Sequence, residues 1–362
     1  MKKIRNKKLV TVSAVLGIML IIGCLVCVGM YVRNARLLPD QKAWQRWQGD
    51  NETSFAQISC FLPGNETLTR EQIYDFRNSM YNKLKEASLE VGGDERLFTD
   101  AWSCKGSAKA ANYQRSANLS VIAVGGDFFT FHPVRLISGN YLSESDIMKD
   151  RVLLDEESAW ILFGGTELEG MSFYIEGVPV TVAGVFARET DGFSEKAHDG
   201  NAGIYMNYDT YCAIKDTSVP VSCYEFLMAD PVKNFVSNAA KEKFPIKGAE
   251  ILDNSRRYKS EKIFALIKEL STRSMRTDNV VYPYWENAAR LSEEANARLL
   301  AAAIGLAVLP GLLLAAAIFL AARCTIRKLD EDIIPSARER TEEAIRVAQR
   351  KRWEKKHKKT SD

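Results

Sequence analysis

The chain has 362 residues, 46% hydrophobic and 26% charged with a net charge of +3, which is ordinary for folded protein and leaves room for one large or two medium domains. Charge is unevenly placed: residues 1–32 carry five basic and no acidic side chains, 33–298 carry 31 basic against 38 acidic, and 299–362 carry 13 against 8. Basic ends around an acidic middle signal membrane topology and argue against nucleic acid as a partner.

Residues 1–8 are a basic tail with Lys2, Lys3, Arg5, Lys7 and Lys8, and the 24 residues 9–32 that follow carry no charge. A helix of that length covers about 36 Å against a hydrocarbon core of about 30 Å, so the run spans a membrane. It is longer than the apolar region of a signal peptide and ends without an Ala-x-Ala site. Ile21-Ile22-Gly23-Cys24 resembles a lipobox, but the apolar run continues through Val32, and an uncleaved helix is the expectation.

A linker over 33–51 carries Trp44 and Trp47. Beyond it, Ser54 to Leu62 reads as a strand closed by Pro63-Gly64. Leu68-Thr69-Arg70-Glu71 opens a helix in which Ile73, Phe76, Met80 and Leu84 recur at spacings of three and four, and Glu95 to Ser103 reads as a second strand. The same order returns later: Tyr224 to Met228 as strand, Asp230-Pro231 as helix start, Val232 to Phe244 as helix, Ala249 to Asp253 as strand. Two β-α-β units about 120 residues apart predict one split α+β subdomain with an insertion.

The inserted stretch is rich in strands: Leu119 to Val124, Val134 to Ser138, Arg151 to Leu154, Ser172 to Glu176, Pro179 to Val185 and Gly203 to Met206. Glu176-Gly177-Val178 between two alternating runs reads as a hairpin turn. A small β-rich lobe is expected. From Tyr258 the pattern is helical, with Ile263, Leu266, Ile267 and Leu270 on one apolar face. Trp285 to Arg298 then leads into a second uncharged run, 299–322, with Glu286/Arg290 and Glu294/Arg298 as i,i+4 pairs. Tyr282, Tyr284 and Trp285 read as a packing cluster in this stalk. The second run also spans a membrane, with Pro310 and Gly311 expected to kink it. Basic flanks before the first run, and Arg323, Arg327 and Lys328 after the second, place both ends in the cytoplasm and the middle outside.

Cys24 and Cys27 fall in the first membrane run and Cys324 at the mouth of the second. Cys60, Cys104, Cys212 and Cys223 are left in a disulfide-permissive compartment. Cys60 with Cys104 and Cys212 with Cys223 is the pairing expected, against unpaired buried thiols as the alternative. The polar tail 323–362 ends in Arg350, Lys351, Arg352, Lys355, Lys356, Lys358 and Lys359. Such a cluster attracts anionic lipid headgroups at about 1 kcal/mol per charge; a solvated stop-transfer tail is the other reading.

The sequence offers little for catalysis. His132, His198 and His357 lie far apart without ligand spacing, so neither a metal site nor His-based chemistry is expected. His132 reads as structural, and His198, in the loop with Asp191, Glu195 and Asp199, as solvated. The nearest match to a phosphate loop, Gly165 to Gly170, runs into Met171-Ser172, without the Lys that neutralises phosphate. No nucleophile elbow occurs. No cofactor is expected, and any ATP hydrolysis belongs to a separate subunit.

Four ordered segments carry a family resemblance. They are Gly126-Asp127-Phe128-Phe129-Thr130, then Leu136 through Gly139-Asn140-Tyr141-Leu142 to Asp146, then Val152-Leu153-Leu154 with Ala159-Trp160-Ile161-Leu162-Phe163-Gly164, and last Gly170 through Tyr174-Ile175-Glu176-Gly177-Val178-Pro179-Val180 to Val185. In this order and spacing the chain resembles the extracytoplasmic core domain of MacB-type ABC transporter permeases, within the wider FtsX-like family. The resemblance implies an α+β ectodomain over 33–257: a split porter-like subdomain (52–110 and 221–257) with an inserted β-rich lobe (111–220). Stalk helices over 258–298 and the two membrane helices, 9–32 and 299–322, complete the expected layout. It further implies a mechanical role in which a separate ABC ATPase drives the membrane helices. A MacB-type permease carries four such helices, whereas the last 40 residues here are polar. The expectation is therefore an accessory or half-size permease subunit that exports or senses a hydrophobic or peptide-like compound, with a longer permease supplying further helices. A membrane-anchored binding or signalling module of the same fold is the alternative.

Overall fold

The computed structural model describes residues 2–50, 53–64, 66–89, 97–198, 200–268, 280, 282–328 and 334–358. In chain order these give α1 (Lys2–Leu37), a 3-10 turn (Pro39–Lys42), α2 (Ala43–Gln48), β1 (Phe55–Phe61), α3 (Arg70–Glu86), β2 (Phe98–Ala111), β3 (Ser116–Gly126) and α4 (Phe128–Phe131). Next come β4 (Arg135–Gly139), β5 (Arg151–Asp155), α5 (Glu156–Leu162), β6 (Ser172–Ile175), β7 (Val178–Ala187), α6 (Ser194–Ala197), β8 (Gly203–Asn207) and α7 (Tyr208–Lys215). The chain closes with β9 (Cys223–Ala229), α8 (Phe235–Lys243), β10 (Glu250–Asp253), a 3-10 turn (Asn254–Arg256), α9 (Ser260–Ile267), α10 (Tyr284–Lys328) and α11 (Ile334–Lys358). Internal packing divides it into two units, 28–301 and 1–27 with 302–362.

In the first unit the strands run β10-β1-β9-β2-β3-β8-β5-β7-β4, with β6 bridging β2 and β7. Strands β10, β1, β9 and β2 pair antiparallel throughout and come from two β-α-β units interleaved strand by strand, the split arrangement expected from the sequence. Their pleat sorts the side chains. Ala56, Ile58 and Cys60 of β1 and Tyr224, Phe226 and Met228 of β9 enter one core with Ile73, Phe76, Met80 and Leu84 of α3. Phe76 packs edge-on against Tyr224, Phe226 and Phe244 at 5.3–5.6 Å between centroids. Thr69 caps α3 and Gln72 closes the capping box, which fixes where the helix begins.

Strand β2 is longer than its sequence suggests. Cys104 to Ala111 has no aromatic or β-branched residue, yet it pairs in unbroken register with β3, from Ala101 opposite Gly126 to Ala111 opposite Ser116. Cross-strand packing overrides weak propensity here. Gly126, at φ 67°, turns the chain out of this hairpin where a Cβ would run into the Asp100 carbonyl. Glu176 and Gly177, both at positive φ (48° and 85°), form the two-residue turn between β6 and β7.

Helix α8 departs from its expected start. Asp230-Pro231 does not open it; residues 231–234 make an irregular turn, with Asn234 left-handed at φ 70°. The Asp230 carboxylate reaches past this turn and accepts the Val236 amide at 3.1 Å. α9 covers only Ser260–Ile267, with Ile263 buried, and Leu270 lies outside the described residues.

In the second unit, the helices carrying the two apolar runs are long and apolar enough to cross a membrane. The second stays helical through Pro310. The two runs meet where Gly23 leaves room for Leu306; a Cβ there would stand 3.3 Å from the leucine methyl. The tail Ile334–Lys358 is a single helix.

Candidate functional site

The opposite face of the four-stranded sheet is built differently. The alternate residues Gln57, Ser59 and Phe61 of β1 and Cys223, Glu225 and Leu227 of β9 point to it, so a strand that reads as apolar delivers a buried carboxylate, Glu225 at 3% exposure. Three segments distant in sequence close over this face: the linker with α2, the α4 turn of the lobe, and the first turns of α10.

Glu225 is held against His132, which follows α4, through the imidazole Nε2. The other ring nitrogen, Nδ1, lies 3.1 Å from Asp40 of the linker. Ser59 donates to Glu225 at 2.5 Å and receives a hydrogen bond from Asn254 at 2.7 Å, while Gln57 donates to the Asp40 carbonyl at 2.7 Å. The ring of His132 packs against Trp285 and Phe128 at 4.3 and 4.6 Å. Burial works against a charged imidazole, but the carboxylates of Glu225 and Asp40 outweigh it and hold His132 up at about 9. Burial in turn raises Asp40, partly offset by His132. With a carboxylate on each nitrogen, the imidazole has no nitrogen left to act as a base; the trio is an ion-pair clamp.

A second cluster continues the first through Asn254. Arg257 donates to Glu286 of α10 through two nitrogens at 2.6 and 2.5 Å and lies 3.0 Å from Glu293 through Nε. It also donates to Gln41 at 3.0 Å and to Asn254 at 3.1 Å. Arg290 binds Glu286 and Glu250, each at 2.8 Å, and stacks over Tyr282 at 3.7 Å. Glu286, Arg290 and Glu293 are buried, so the i,i+4 pair read from the stalk sequence is the centre of a network. The first turn of α10 also grips the lobe. Tyr284 donates to Glu189 at 3.0 Å, lies 3.0 Å from the Tyr205 hydroxyl and stacks on His198 at 3.9 Å. His198 is therefore not a solvated loop residue; it is 3.1 Å from Glu189 and packed against the helix. Beside this turn a cavity of about 270 Å³ is lined by Leu62, Ile122, Phe186, Arg188, Tyr205 and Tyr284, among others.

Of the residues singled out in the sequence, Tyr282, Tyr284 and Trp285 do form a packing cluster, with Tyr282 edge-on to Phe61 at 5.2 Å. Cys60, Cys104, Cys212 and Cys223 are free thiols, and the structure joins neither expected pair. Arg350, Lys351, Arg352, Lys355, Lys356 and Lys358 fall on the tail helix, and Lys359 lies outside the described residues. Asp40, Glu225, Arg257 and Glu293 were not singled out. The one signal was a charge inside an apolar strand, Tyr224-Glu225-Phe226.

Comparison with known proteins gives three findings. The sequence profile of the MacB-like periplasmic core domain matches residues 11–234. The macrolide export ATP-binding/permease protein MacB of Chromobacterium violaceum is 40% identical over 96 residues, 26% of this chain and 14% of that protein, so the chain spans about a seventh of that relative's length. Among solved structures, the periplasmic region of MacB from Actinobacillus actinomycetemcomitans aligns at 16% identity and a TM-score of 0.39, covering 63% of this chain and 96% of that one. The extracellular domain of the noncanonic ABC-type transporter YknZ from Gram-positive bacteria aligns at 16% identity and 0.37, covering 55% and 100%.

Proposed function

This chain belongs to the MacB-like periplasmic core domain family, and from that premise we propose that it is a permease component of a MacB/FtsX-like ABC system whose ectodomain is worked mechanically by its membrane helices. The observation that carries the reading is the buried network. The segment following α1 (Asp40, Gln41) and the first turns of α10 (Glu286, Arg290, Glu293) are tied through His132 and Arg257 to both the lobe and the four-stranded sheet. Displacing either helix end has to break or carry these buried ion pairs, which is costly when one partner is left behind, about 3–5 kcal/mol. The network, in this reading, follows the ends of the helices that enter it.

In this reading both ends of the chain are cytoplasmic, as the basic flanks favour, a separate ABC ATPase supplies the work, and the basic end of α11 rests on anionic lipid. The cavity of about 270 Å³ favours a second role, recognition of a small extracytoplasmic compound without transport. Purification of the chain from native membranes in mild detergent, with spin labels on the lobe and on α8, separates the two. An ATPase and a longer permease should co-purify, and ATP should change the label distance. A chain that comes alone, with distances indifferent to nucleotide, sinks the transport reading.

A further inference from the structure

The sheet decides which of the four cysteines in residues 28–301 are able to meet. Cys60 and Cys104 face the same core, but β9 lies between their strands. At about 4.8 Å per strand, with Cys60 level with Trp102 and not with Cys104, this puts them more than about 9.5 Å apart, beyond the roughly 7 Å that a disulfide bridges. Cys223 sits on β9 opposite Phe61 and Ser103, one residue out of phase with Cys60 and Cys104, so it faces the other side of the sheet from both. It faces away from Cys212 as well, because α7 packs on the side that holds Cys104. Cys60 and Cys212 are separated in turn by β9 and β2, since α7 lies over β3 and β8.

Cys104 and Cys212 remain, and the local structure brings them together. On α7, Tyr208, Tyr211 and Cys212 share one face at i, i+3 and i+4. From its seat over β3 and β8 that face reaches across to β2 beside Cys104 through Tyr211: Gly106, two residues on and on the same side of the strand, is where a Cβ would run into the Tyr211 hydroxyl and ring, and Tyr211 donates to the Ser107 carbonyl at 3.3 Å. Cys104 is 2% exposed, whereas Cys212 is half-buried and its Sγ accepts the Val219 amide at 3.5 Å. Burial, reinforced by the neighbouring Cys212 sulfur, pushes the Cys104 thiol up to about 12.

We propose that Cys104 and Cys212 are a redox-modification site, the one pair among these four that the sheet does not keep apart, and that their disulfide staples α7 to the β2–β3 hairpin. The oxidant is a small or protein disulfide. The Cys212 thiolate attacks it, forming a mixed disulfide and releasing one thiol. Cys104 then attacks the Cys212 sulfur as it gives up its proton, the Cys104–Cys212 bond forms, and the second thiol leaves. Two electrons pass from the cysteines to the oxidant's S–S bond, and the two thiol protons end on its two sulfurs. This order follows from exposure: only Cys212 is open to the first attack.

The test uses the full chain in lipid nanodiscs, reduced, equilibrated with oxidised glutathione, quenched with N-ethylmaleimide in denaturant and peptide-mapped. The expected wild-type product is a Cys104–Cys212 linked peptide, with Cys60 and Cys223 alkylated as thiols and the unfolding midpoint raised by about 5 °C. Cys104→Ser should trap glutathione on Cys212, and Cys212→Ser should leave Cys104 unmodified. The wild-type map decides alone if either variant folds poorly. Alkylation of both thiols after equilibration, a persistent glutathione adduct on wild-type Cys212, or a link to Cys60 or Cys223 overturns the proposal.

Discussion

The two faces of the four-stranded sheet contrast sharply. One, under α3 and α8, is closed by Phe76, Met80, Leu84, Tyr224 and Phe226, an apolar core with aromatic rings edge to face and an ion pair at its border, Arg77 with Asp100, whose carboxylate also accepts from the Tyr224 hydroxyl. The other, under the linker, α4 and α10, is closed by Asp40, His132, Glu225, Arg257, Glu286 and Arg290. Both faces gain stability from apolar area removed from water; the second also spends desolvation on a network of charges and recovers it only when each ion meets its partner in one geometry. Apolar surfaces slide and repack, whereas paired ions fix register. The face that receives the helix ends is the one that carries the extended ion network, set among Phe61, Phe128, Leu227 and Trp285.

That contrast is open to attack by substitution, with unfolding of the full chain in nanodiscs as the measurement. Phe76→Ala and Arg257→Ala should each cost about 3–5 kcal/mol, the first by leaving a cavity and the second by removing the two-nitrogen partner of buried Glu286 and the cation nearest Glu293. They should part on rescue. Arg257→Met combined with Glu286→Leu should recover much of the loss, because an apolar pair substitutes for a buried ion pair, and a double variant as unstable as the single would break the distinction between the faces.

Next in size is pH. A histidine held at about 9, above its usual 6.5, adds stability that is fully present below pH 6.5 and is lost as pH rises through 9, about 3 kcal/mol in all. The gap in melting temperature between wild type and His132→Gln should therefore narrow from pH 6 to pH 10. A gap that widens would contradict the clamp. Tyr284→Phe keeps the ring on His198 but removes the hydroxyl from Glu189 and Tyr205, and should cost about 1–2 kcal/mol. Thr69→Ala, on the apolar side, removes one helix cap and should cost about 1 kcal/mol with no change in pH dependence. A pH effect there would show that the faces are not independent.

The sequence alone determined the elements whose cause is local. The two apolar runs are legible because length and absence of charge suffice. α3 is legible because its core residues recur at helical spacing behind a capping box, and the β6–β7 hairpin because Gly177 readily takes positive φ between two alternating runs. Both β-α-β units showed in the same way, as did the lobe motifs. What needed the tertiary structure is non-local. Strand β2 extends to Ala111 only because β3 lies alongside, and α8 starts late because the Asp230 carboxylate and the Asn234 turn reshape its entry. Glu286 and Arg290 look like a surface pair until Arg257, 29 residues before Glu286, is found between Glu286 and Glu293. Periodicity says which face of an element a residue takes. It does not say what lies opposite, and for a charged side chain that neighbour decides whether it is solvated or is the centre of a buried network.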